Sequence, residues 1–113
     1  MNHTERRKLL ASRAQLGSTL IAIERKQHAA KGYDAAHDAQ HGHGELVTAA
    51  MTYVDAARMQ LAGLPVIHAK WQWPWEPESF KPAENPIVTL AKAGALIAAA
   101  MDQIARENPE LLG

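Results

Sequence analysis

The sequence predicts an all-α protein: a small three-to-four-helix bundle with a proline- and tryptophan-rich loop packed on it. Three observations carry this. Apolar residues recur at helical spacing through three long stretches. Five of the six prolines fall between residues 65 and 86. That cluster ends at Asn85-Pro86, a helix-start signal in front of the most apolar run in the chain. A length of 113 residues suits one domain, with helices over about residues 3–30, 35–61 and 86–107 and a connection over 63–85.

The first helix opens with Asn2 and Glu5 at capping-box spacing. Leu9, Leu10, Ala14, Leu16, Leu20, Ile21 and Ile23 follow at helical intervals. Gly17-Ser18 marks a place where the helix can break, and Lys31-Gly32 ends it. Asp34 can cap the second helix, although Gly42 and Gly44 weaken its first turns and regular winding can start as late as Glu45. Leu46, Val47, Ala50, Met51, Tyr53, Val54 and Ala57 form its apolar stripe, and Gly63-Leu64-Pro65 stops it. In the third helix, Ala93, Gly94, Ala95, Ala98 and Ala99 permit close approach of a neighbouring helix. A helix this apolar is also compatible with burial in a homodimer.

Composition excludes several functions. Twelve basic and twelve acidic residues balance, so no basic excess favours nucleic acid. Cysteine is absent, which removes thiol nucleophiles, disulfides and thiolate zinc sites. MNHTERRKLL is too polar for the core of a signal peptide, and the apolar stretch from Ala93 to Met101 is too short to span a bilayer. A cytoplasmic protein without membrane contact is the expectation. No glycine-rich phosphate loop or nucleophile elbow is present.

Three constellations could carry chemistry. His37, His41 and Glu45 are spaced i, i+4, i+8, which drifts only about 40° per step on a continuous helix. Thr48, Thr52 and Asp55 fall on the same side. The column could hold a polar ligand or a metal, or it could be the solvated face of an amphipathic helix; spacing fixes no third or fourth metal ligand. Lys92 sits in a narrow stripe with Thr89, Gln103 and Arg106. It is either a cation facing a phosphate or carboxylate, or a lysine on the one wet strip of a buried helix. Finally, WQWPWEPESFKP (residues 71–82) holds all three tryptophans and the only phenylalanine. These aromatics could form a lid over the bundle, a stacking platform with Lys70 and Lys81 beside it, or a protein-binding hot spot.

The order GYDAAHDAQHGHGEL, AAMTYVDAA, WPWEPESFKP, LAKAGALIAAAMDQI resembles a group of small bacterial, phage and prophage proteins of uncharacterised function. Their pattern runs HDxxHxxGEL, WPW, KP, KAGALI, and the resemblance covers about residues 24–106. This chain has Ala36 and Ala100 where that group often has glutamate. The group is in turn distantly similar to the MazG-type all-α nucleotide pyrophosphohydrolases, which hold magnesium with E-x-x-E and E-x-x-D pairs. That acidic quartet is absent from this chain.

The polar column beside the aromatic loop, with no competent catalytic set, points to a non-catalytic protein that binds a small ligand, a nucleotide or nucleotide signal among the candidates; the resemblance implies a phage or prophage origin, which a role against host defence fits. The candidate ligand-binding residues are His37, His41, Glu45, Trp73, Trp75, Lys81 and Lys92. Two alternatives stay open: a divergent metal-dependent pyrophosphohydrolase, and an inhibitor that grips a host protein with the tryptophan loop.

Overall fold

The computed structural model describes residues 2–5, 7–8, 15–30 and 42–113. Among the described residues there are helices and no strands. Residues 3–5 and 7–8 are helical behind a capping box: the Glu5 N–H donates to Asn2 Oδ1 at 2.8 Å, and the Asn2 N–H donates to Glu5 Oε2 at 3.4 Å. Three longer helices follow: α1 (Leu16–Ala30), α2 (His43–Leu61) and α3 (Pro86–Glu107). Helix α1 begins just after a turn at Gln15, whose carbonyl accepts from the Ser18 hydroxyl.

Gly42 is extended (φ −63°, ψ 146°) and forms the N-cap of α2, so the helical register that carries Glu45 starts at His43. Asn85 caps α3 by accepting from the Ile87 N–H at 2.8 Å, and Pro86 stands at the first helical position, where a missing N–H costs nothing. Gly63 ends the second helical unit with φ 71°, a left-handed conformation that only glycine adopts cheaply.

The proline density of the connection predicts that no regular helix survives there. No α-helix does, but Val66–Gln72 and Pro77–Ser79 wind as 3₁₀ segments. Pro65 and Pro74 bracket a proline-free stretch long enough for two tight turns.

Helices α2 and α3 are antiparallel. The carboxamide of Gln60, near the end of α2, donates to the Ala83 carbonyl just ahead of α3. The core between them is Leu46, Ala49, Ala50 and Tyr53 against Ala93, Leu96, Ala99 and Ala100. Alanine dominates because these helices approach closely and leave no room for larger side chains. Helix α1 packs on α3 instead. Ile21 lies over Gly94 so closely that a Cβ there would meet its side chain at 2.6 Å, and Arg25 reaches Asp102 at 3.5 Å. Asp102 is well exposed, so that ion pair adds little stability.

Helix α3 is long and apolar enough to cross a bilayer, with an 18-residue window of mean hydropathy 1.4. That is longer than the Ala93–Met101 stretch which stands out in the sequence. Much of this window is buried against α1 and α2, as in a core helix.

Candidate functional site

The second helix meets the tryptophan connection along its polar side. Thr52 is completely buried and donates to the Thr48 carbonyl at 2.8 Å, the usual local partner for a helical hydroxyl without water. One turn later, Asp55 Oδ2 accepts from the Gln72 carboxamide at 2.9 Å. At the start of α2, Glu45 Oε2 accepts from the Trp75 indole N–H at 3.0 Å. In this column Thr52 is buried, Asp55 is partly covered and Glu45 stays exposed, and both carboxylates hold the connection. The connection descends along α2 and returns to start α3.

The aromatic rings make the second half of that anchor. Trp73 lies among Tyr53, Trp75 and Phe80, with ring centroids 5.2 Å from each. Its contacts with Tyr53 and Trp75 are edge-to-face, the arrangement favoured by ring quadrupoles. Its indole N–H is shared between the Ser79 hydroxyl (2.9 Å) and the Glu76 carbonyl (3.1 Å). Trp73, Trp75 and Phe80 all pack on the α2–α3 core. Of the three roles open to this passage, these rings take that of the lid.

Trp71 does not. It is 89% exposed on the 3₁₀ segment Val66–Gln72. The segment beneath it is fixed, because Ala69 is fully buried and Gln72 is tied to Asp55. Leu61, Leu64 and Ile67, on the preceding turns, are also largely exposed. Residues 61–71 thus leave four large apolar side chains uncovered, the last of them an indole.

The other candidates are dispersed. Lys81 contributes its backbone N–H, which donates to the Tyr53 hydroxyl at 3.1 Å, while the residue itself is exposed. Lys92 is half-buried on α3, and its stripe is drier than the sequence suggests, since Thr89 and Gln103 are buried. Thr89 donates to the Ala83 carbonyl at 3.1 Å, which fastens the end of the connection to α3. His37 and His41 lie outside the described residues. Of the expected ligand-binding residues, the structure joins Glu45 directly to Trp75 and Trp75 to Trp73.

Among the described residues, Tyr53 has a clear shift in acidity. Burial, foremost, pushes its hydroxyl above the ordinary tyrosine range; the Lys81 N–H opposes this, and Glu24 adds to the rise. The folded chain therefore keeps this proton to higher pH than the unfolded chain does. The associated stability is complete below about pH 10 and is lost as pH rises through the folded value. Tyr53→Phe should lose about 1 kcal/mol at pH 8 with the Lys81 hydrogen bond, and should then lose less than the parent between pH 9 and 11. Melting both proteins across that range checks it. A constant gap would contradict it.

Among the described residues, no three histidine, aspartate or glutamate side chains come together as a metal site. Compared with protein-family models, curated proteins and solved structures, the chain matches none.

Proposed function

We propose that this chain is a non-catalytic binding protein whose partner is another protein, gripped through Trp71 and the apolar row Leu61, Leu64 and Ile67. The observation that carries this is the nearly complete exposure of Trp71 on a segment that is otherwise pinned down. A large exposed indole on a rigid base is what protein hot spots use, because little ordering entropy is lost on binding. The resemblance to phage and prophage proteins makes a host protein the candidate partner and inhibition of it the role. Among the described residues no three acidic or histidine side chains converge, which supports a reading without phosphohydrolase chemistry.

The test is affinity capture from host extract with the parent and with Trp71→Ala, followed by calorimetry with the purified captured protein. Trp71→Ala should weaken that complex at least ~30-fold while leaving the fold intact. Equal affinity for the two proteins would sink the proposal.

A small-ligand reading keeps one observation in its favour: the Glu45 carboxylate and the Trp75 indole edge meet near the start of α2. It predicts a thermal shift with some member of a panel of nucleotides and cyclic dinucleotides, weakened by Glu45→Gln. No shift across the panel would end it.

A further inference from the structure

The two faces of the α2–α3 pair differ sharply. One carries the tryptophan connection, anchored at Glu45, Tyr53, Asp55 and Gln60. On a helix of about 100° per residue, Val47, Met51 and Val54 lie roughly 80–140° around from Leu46, on the opposite side from Glu45, Tyr53 and Gln60, with Asp55 at about 180° bordering Met51. Leu90, Ile97 and Met101 lie at a similar angle from Leu96 on α3. In an antiparallel pair that meets through Leu46 and Leu96, both edges fall on the same side. These six apolar residues are each 42–64% exposed.

Among the described residues, the bundle is open on that side. Helices α1 and α2 both pack on α3 but make no extensive contact with each other. A closed three-helix bundle would bring all three pairs together.

We infer that this open face is covered by the same face of a second copy of the chain, closing a two-fold, four-helix core from two α2–α3 layers. Three features select a second copy as the occupant. Val47, Met51, Val54 and Leu61 on α2, with Arg58 between the last two, alternate steps of four and three. Ile87, Leu90, Ile97 and Met101 on α3 keep the same spacing of threes and fours, with Gly94, which Ile21 of α1 covers, between Leu90 and Ile97. This is the 3.5-residue spacing of a packing seam, present on both helices of an antiparallel pair, so the surface can complement itself under two-fold symmetry.

The exposed side chains offer on the order of 600 Å² per copy, or ~1,200 Å² in all, which reaches the size of stable interfaces. A formal net charge of +0 puts no repulsion between copies. Leu61 borders both surfaces, but the dimer's test residues Met51 and Ile97 lie outside the Trp71 surface, so either proposal can fail without the other.

Light scattering during size exclusion should give about twice the 12.3 kDa chain mass at tens of micromolar. Met51→Glu and Ile97→Glu should each weaken association at least ~30-fold with unchanged helical circular dichroism. A measurement on the unaltered chain guards against a variant that fails to fold. Peroxide oxidation of Met51 and Met101 should slow at least about fivefold on going from dilute to concentrated protein. A parent chain that stays at 12.3 kDa when concentrated would overturn the inference. So would a dimer indifferent to both glutamates, methionine oxidation independent of concentration, or a monomer that partitions into lipid vesicles.

Discussion

Trp73→Ala should cost about 3–5 kcal/mol and lower the melting temperature by at least ~10 °C. The substitution removes the ring that Tyr53, Trp75 and Phe80 pack around, and it leaves the Ser79 hydroxyl and Glu76 carbonyl without its indole N–H. The hole opens beside the α2–α3 core, where alanine side chains cannot reach in to fill it. Trp71→Ala, two residues away, should change stability by no more than about 0.5 kcal/mol, because its ring is in water already. Thermal melts of the two variants side by side check the contrast. Equal losses would mean that Trp71 also supports the fold.

The second large effect is overpacking. Ala99 is buried in the contact between α2 and α3, opposite a helix whose facing residues include Ala49 and Ala50. Ala99→Leu adds three carbon atoms where the helices already touch, and should destabilise by about 3 kcal/mol. Met101→Leu, two residues later and 64% exposed, should be near neutral, since leucine is as good a helix former as methionine. Denaturant melts give both values. A tolerated Ala99→Leu would show that α2 and α3 are looser than their alanine-lined contact implies.

The all-α class was legible because helix periodicity and helix-end chemistry are local. Asn85-Pro86 marks the start of α3 from two residues alone, since a capping carboxamide and a missing N–H both suit a first turn. The small residues of α3 indicated close approach, and Ala93, Ala95 and Ala99 are buried while Ile21 fills the space above Gly94.

The division of the α2 stripe was not legible. Leu46, Ala50, Tyr53 and Ala57 are buried, whereas Val47, Met51 and Val54 are exposed. A continuous apolar arc reads alike whether one neighbour covers it or two are required. The polar column of α2 was equally ambiguous. Its hydrogen bonds to Gln72 and Trp75 arise from a connection that folds back over it, at sequence separations of 17 and 30 residues.

Nor could the sequence separate the three tryptophans. Their roles depend on the phase of the 3₁₀ turn over Val66–Gln72, which buries Ala69 and turns Trp71 outward. One signal was available: the proline-free stretch between Pro65 and Pro74 has room for a short helix, and a small residue at Ala69 suits its inner side.

The central claim is that one passage divides its tryptophans between holding the fold and meeting a partner. Fluorine NMR of the 5-fluorotryptophan-labelled protein tests it most directly, with the three resonances assigned by Trp71→Phe, Trp73→Phe and Trp75→Phe. The Trp71 resonance should show the full solvent isotope shift of a free indole, the other two should show much less, and a captured partner should move Trp71 first. A Trp73 resonance as solvent-exposed as that of Trp71 would contradict the account.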